Sequence, residues 1–150
     1  MTWALMTTAE IHAFGIHMVL QFIEKEGVTV QHVNPDIKMN PQIVGQRWGS
    51  LAYIYVRTAC YPGKGALGEE EFFYWLDWAK VQTAPPFFGS VGIACTHYPD
   101  KTPVQNDADM RLPMRNSGFA VTYEGLLLNA YRLSLLGESQ RKLRRAIASN

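Results

Sequence analysis

Apolar residues recur at Ile11, Phe14, Met18, Val19 and Phe22, the spacing of one helical face, and predict an amphipathic helix from about Thr8 to Glu26. Thr7, with Glu10 three residues on, has the form of a capping box, and Gly27 supplies the stop. The period then changes to two. Val28, Val30 and His32 alternate with Thr29, Gln31 and Val33, which predicts a short strand running into a polar, proline-punctuated loop from Asn34 to Pro41. The stretches Gln42 to Arg47 and Leu51 to Ala59 flank a turn containing Trp48 and Gly49, the pattern of an antiparallel hairpin. With those two residues as the turn, Arg47 faces Ser50, Gln46 faces Leu51, Val44 faces Tyr53 and Gln42 faces Tyr55. One hairpin face is then apolar, with Ile43, Gly45, Ala52, Ile54, Val56 and Thr58. The other is polar and aromatic, with Gln42, Gln46, Tyr53, Tyr55 and Arg57.

After a turn-rich stretch from Pro62 to Gly68, Glu69, Glu70 and Glu71 open a second helix that runs to about Gln82. Acids in a first turn complement the positive helix end, which accounts for the three glutamates without a catalytic role. Phe72, Trp75, Leu76 and Ala79 form its buried stripe. Pro85 and Pro86 end it, and Phe87 to Cys95 is a nearly unbroken apolar run, as expected of a strand covered on both faces. Thr96 to Asn116, with Asp100, Asp107 and Asp109, reads as a long irregular segment, a kind more often functional or mobile than structural. Phe119 to Tyr123 is a final strand, Leu126 to Leu136 fits more than one element, and Glu138 to Ser149 is a basic helix with a narrow stripe of Leu143, Ala146 and Ile147.

These elements specify one domain over 1–150, with a core from about 7 to 136 and a basic helix or tail at 137–150. Its class is α/β in the broad α+β sense: a mixed central sheet carrying an antiparallel hairpin, flanked by helices. A chain of 150 residues with 47% hydrophobic and 18% charged residues can bury a core without disulfides or metals and is not a disordered sequence. Charge adds one refinement. Residues 1–110 carry 7 Lys and Arg against 11 Asp and Glu, whereas residues 111–150 carry 7 against 2. The C-terminal end therefore suits an anionic partner, or docking on the acidic remainder of the chain. The N-terminal stretch has neither a signal-peptide nor a spanning pattern, so a cytoplasmic address and no membrane partner are expected.

Candidate chemistry is sparse. Cys60 and Cys95 sit in apolar runs, where a thiol behaves as a small buried hydrophobe. His12 and His17, five apart on a helix, point to different faces and do not suit a shared metal. Neither a phosphate-binding glycine loop, nor zinc spacing, nor a serine elbow occurs, and no cofactor is expected. His97 beside Tyr98 ends the buried strand, a position that carries site residues in open sheets. Trp48 at the hairpin tip, with Gln46 and Tyr53 near it, is a candidate contact surface for a protein partner or a second copy.

The order helix, strand, hairpin, helix, buried strand resembles the restriction-endonuclease-like core of the PD-(D/E)xK nuclease superfamily, over about Thr8 to Cys95. In that family an Asp after Pro on one hairpin strand and a Glu-x-Lys on the next converge on a divalent metal and the attacking water. The matching stretches here are Pro41-Gln42 and Tyr55-Val56-Arg57. The resemblance thus implies a nuclease fold in which Gln42 and Tyr55 replace both acids and only Arg57 keeps the charge of the lysine. An amide or phenol oxygen is a poor substitute for carboxylate on Mg²⁺, and an arginine can hold a phosphate but cannot generate hydroxide. Glu10 and Asp36 are the acids that could relocate into the site, although capping and turn formation account for both. The expected function is a non-catalytic binding or interaction module that needs no metal. A divergent metal-dependent nuclease and a small enzyme centred on His97 are the alternatives. Nucleic acid ranks below protein as a partner, because no broad basic surface extends the C-terminal cluster.

Overall fold

The structure, a computed structural model, describes residues 3–82 and 86–128. Helix α1 spans Thr8–Ile23 and tightens into one 3-10 turn, Glu24–Glu26, before Gly27 at φ 85° ends it. The capping box forms: Glu10 N–H donates to Thr7 Oγ1 at 3.1 Å, and Thr7 N–H to Glu10 Oε1 at 3.0 Å. The buried face is His12, Gly15, Ile16, Val19 and Ile23, rotated from the stripe that the large apolar residues predict. Gly15 is the reason. A Cβ there would lie 1.6 Å from Thr58 Oγ1, so the line of closest approach to the sheet runs through the glycine. The bulky residues are displaced to the flanks, where Phe14 packs on Phe119 and Phe22 stacks on Tyr123.

The strands are β1 (Val28–Val33), β2 (Ile43–Arg47), β3 (Ser50–Cys60), β4 (Pro86–His97), β5 (Gly118–Tyr123) and the short β6 (Leu127–Leu128). They lie in the order β1-β2-β3-β4-β5, with β6 also on β4. The β1–β2 pairing shifts register between Val30 and His32, leaving Gln31 as an extra residue on the edge strand. The β2–β3 hairpin has the expected register, Arg47 on Ser50 and Val44 on Tyr53. Its turn residues Trp48 and Gly49 both have positive φ, 50° and 86°, as the tightest hairpin turns require. β3 and β4 are parallel, which demands a crossover, and helix α2 (Glu69–Gln82) supplies it.

Two layers of side chains follow from this order. α1 covers Ile43, Ala52, Ile54, Val56, Phe87, Val91 and Ile93 on one face of the sheet. α2 sets Phe72 and Trp75 on Tyr55 and Phe88 of the other, with Leu67 and Leu127 completing the cluster. Each of these large apolar side chains contributes about 1.5–3 kcal/mol on burial. Strand β4 is buried along both faces, as its unbroken apolar run indicates.

The stretch after β4 is more ordered than its prolines suggest. Strand β4 continues through His97, Val104 N–H donates to Thr96 O at 2.8 Å, and the four-residue helix α3 (Asp107–Met110) is capped by Asn106. Tyr98 Oη donates to Asp109, one of the acids of that segment. Residues 4–6 run beside 113–115, with Met6 N–H on Pro113 O at 2.7 Å and Arg115 N–H on Ala4 O at 2.8 Å. Much of the predicted 126–136 segment and the basic helix at 138–149 lie outside the described residues. Among the described residues no helix is long and apolar enough to cross a membrane.

Candidate functional site

The α2 side of the sheet gathers the polar residues of the hairpin. Gln42, just ahead of β2, is fully buried. Its Oε1 accepts from Val56 N–H at 2.8 Å and from Arg57 Nη1 at 3.2 Å, while its Nε2 donates to Met39 O at 2.9 Å and Asn40 Oδ1 at 2.6 Å. Arg57, 6% exposed, also donates from Nη1 to Val56 O at 2.8 Å and from Nη2 to Asn40 Oδ1 at 3.3 Å and to Glu71 Oε2. Glu71 Oε1 in turn accepts from Gly68 N–H at 3.1 Å. A buried guanidinium needs such partners, since an unpaired one costs several kcal/mol. Asn40, Gln42, Arg57 and Glu71 thus form one polar knot spanning the loop before β2, the centre of β3 and the first turn of α2.

Local chain geometry builds this knot. Gly65 N–H donates to Val91 O at 2.9 Å, and a Cβ on Gly65 would lie 1.7 Å from Arg57 O. Only glycine lets the β3–α2 connection press on β3 this closely, and four residues later α2 begins with its acids over Arg57. Burial works to raise the Glu71 pKa, but the hydrogen bonds from Arg57 and Gly68 and the Arg57 charge outweigh it and hold the carboxyl below its usual value. The expectation that the three glutamates serve only the helix end is corrected at this position. Glu71 caps the helix and also neutralises Arg57.

Beside the knot lies a cleft of about 250 Å³ lined by Asn40, Tyr55, Glu70, Glu71 and Tyr74. Tyr55 is 1% exposed and its hydroxyl has no partner among the described residues. Burial, with Tyr74 nearby, pushes its pKa up to about 12, so the phenol stays neutral. On the opposite face His12 is buried, its Nε2 without a partner among the described residues. Burial lowers its pKa, the Arg57 charge adds to that, and Asp36 opposes it.

The other sequence candidates are dispersed. Glu10 forms the capping box and a two-oxygen contact with Arg115 Nε and Nη2 at 2.7–3.0 Å, which together bring its pKa down to about 2. Asp36 closes a turn by accepting from Lys38 N–H at 2.9 Å. Trp48 is 78% exposed; its indole leans over Gly27, and the Arg47 guanidinium lies 4.3 Å from its ring centroid. Tyr53 does not meet Trp48 but packs edge-on against Trp78 at 4.7 Å. Gln46 is exposed near the tip, and His97 is exposed with Nδ1 3.0 Å from Thr96 Oγ1. The two cysteines are thiols, Cys95 buried and Cys60 half-buried. Among the described residues no three His, Cys, Asp or Glu are grouped to hold a metal ion.

Sequence reasoning placed Gln42, Tyr55 and Arg57 on one face and missed Asn40 and Glu71. A signal for Glu71 exists: it stands three residues after Gly68, the spacing at which a Glu side chain reaches back to a helix-start N–H. Nothing comparable singles out Asn40.

Fold and site together define an α+β domain with a mixed sheet, a helix on each face and a polar knot between α2 and the hairpin. Residues 9–128 match the family described as Domain of unknown function (DUF8840), and the chain belongs to that family. The matched span takes in every residue of the knot and ends with β6. No curated protein matches the chain.

Proposed function

We propose that this chain is a non-catalytic binding or interaction module on a restriction-endonuclease-like framework, in effect a pseudo-nuclease, working in the cytoplasm, where Cys60 and Cys95 stay reduced. An antiparallel β1-β2-β3 meander joined through α2 to a parallel β4 supports the framework. The observation that carries the functional reading is the knot. At the positions where the nuclease family holds its acids and lysine, Gln42 and Arg57 spend their hydrogen-bonding groups on Asn40, Glu71 and the backbone. Such a closed network fixes geometry and commits the Arg57 charge to Glu71. Recognition then falls to what is displayed around it, the cleft rim at Tyr74 and the hairpin tip at Trp48 and Leu51, 64%, 78% and 45% exposed. Aromatic side chains of this kind suit a protein partner or a second copy.

The second reading, a divergent metal-dependent nuclease, has one observation in its favour. Glu70 and Glu71 line one cleft beside Arg57. Incubating the protein with duplex and single-stranded DNA and RNA, with Mg²⁺ or Mn²⁺, separates the two. The module reading expects intact substrate in every lane. Metal-dependent cleavage abolished by Glu71→Ala, Asp36→Ala or Glu10→Ala would sink it.

A further inference from the structure

The cleft beside the knot holds a polar atom that the fold itself does not use. Tyr55, on the face of β3 that α2 covers, is 1% exposed, and its hydroxyl has no hydrogen-bond partner among the described residues. A buried hydroxyl in that condition costs stability. Besides burial, the ionisable groups that act on it are Tyr74, Arg57 and Glu71, which stand in or beside the cleft. The hydroxyl is therefore aimed at the cleft, and a group entering there is placed to pair with it.

A phenol both donates and accepts, so it does not choose the charge of its partner. The carboxylates do. Arg57 is already committed to Glu71, whereas Glu70, exposed on the helix side of the cleft, enters no ion pair among the described residues. An uncompensated carboxylate, an accepting phenol oxygen and the ring of Tyr74 suit a cation and repel an anion. Among cations the guanidinium fits best. It is planar and weakly hydrated, lies against an aromatic ring, and gives parallel hydrogen bonds to a carboxylate while another N–H reaches a second acceptor. The volume of about 250 Å³ is below the roughly 300–1,000 Å³ of sites for drug-sized molecules, and suits one side chain. Met39, the neighbour of Asn40 in the loop, and Tyr74 on the helix are 53% and 64% exposed. They offer apolar surface to the residues on either side of an inserted side chain, which a small free ligand would leave bare.

We propose that the cleft receives an arginine side chain of a protein partner, its guanidinium between the Glu70 carboxylate and the Tyr55 hydroxyl and against the Tyr74 ring. This occupant rests on the reading of the chain as a binding module. Cleavage of nucleic acid sinks that reading, whereas failure of the following titration sinks the occupant alone.

The full chain, with isotope-labelled tyrosine rings, is titrated at low salt with acetyl-glycyl-arginyl-glycine amide and followed by NMR. The expected result is a saturable shift of the Tyr55 and Tyr74 resonances, with binding weakened at least about tenfold when citrulline replaces arginine and the charge-assisted bonds are lost. Glu70→Gln and Tyr55→Phe should each weaken binding about fivefold. Tyr55→Phe should also leave the denaturation midpoint unchanged or raised, because the hydroxyl it removes has no partner among the described residues. Any of four outcomes overturns the proposal. The rings fail to shift. Citrulline or lysine binds as well as arginine, which removes the guanidinium. Methylguanidinium alone binds as tightly as the peptide, which removes the protein. Or Tyr55→Phe binds like the parent or unfolds more easily, which takes the hydroxyl out of the contact or gives it a structural role.

Discussion

Replacing Gln42 by leucine probes the knot at its most buried member. The substitution removes two accepted hydrogen bonds, from Val56 N–H and Arg57 Nη1, and two donated ones, to Met39 O and Asn40 Oδ1. Arg57 and Asn40 keep other partners, whereas the Val56 N–H and the Met39 carbonyl lose the side-chain partner that satisfies them. At about 1.5–2 kcal/mol for each of the two orphaned groups, and little for Arg57 and Asn40, which keep other partners, the loss is roughly 3–4 kcal/mol. Burying leucine instead of an amide returns about 1 kcal/mol, so the net cost is about 2–3 kcal/mol. With a urea dependence of about 2 kcal/mol per molar, the unfolding midpoint should fall by about 1–1.5 M. Trp75 and Trp78 over the same sheet face provide the fluorescence signal. Gln46→Leu, at an exposed position on the same hairpin face, should change stability by less than about 0.5 kcal/mol. A Gln42→Leu protein within about 0.5 kcal/mol of the parent, or a Gln46→Leu protein equally damaged, would refute the reasoning.

Three further outcomes follow from the same structure. The folded chain holds His12 below its ordinary value of 6.5 through burial and the Arg57 charge, against the pull of Asp36. Falling pH therefore protonates the unfolded chain first, and stability that is complete above pH 6.5 declines below it; His12→Leu should flatten the denaturation midpoint between about pH 7 and 5. The Glu10 carboxyl, held near 2 by Arg115 and the Thr7 cap, should titrate there by carbon-detected NMR and move towards 4.5 in Arg115→Gln, its contribution being present above the unfolded value and lost as pH falls towards 2. Gly15→Ala should cost more than about 2 kcal/mol by overlap with Thr58 Oγ1, and a chemical-denaturation cycle with Thr58→Ala should show part of that recovered.

How much could be read from the chain depends on how local each signal is. The hairpin register was legible because a two-residue turn fixes every pair after it, and the Glu69–Gln82 helix because prolines and acids mark its ends. The buried face of α1 was misread, since hydrophobicity ranks Phe14 and Phe22 above His12 and Gly15, while the sheet selects the side that can approach closest. The segment after β4 looked irregular because its order comes from single long-range bonds, such as Tyr98 to Asp109 and Arg115 to Glu10. At the knot, Gln42 and Arg57 shared a face by alternation, but Glu71 arrives from an element whose placement depends on the tight passage of Gly65 over β3. No periodicity reports that.

The displaced register at Gln31 bears on how the molecule meets others. Among the described residues β1 is a rim of the sheet, and a regular rim strand is an open template for backbone pairing with a foreign chain, the first step of strand addition and of fibre growth. The additional residue bends that template and breaks the run of evenly spaced donors and acceptors beyond Val30. Main-chain pairing with a foreign strand is therefore hindered beyond Val30 on this side, which gives side chains the larger part in any contact made there.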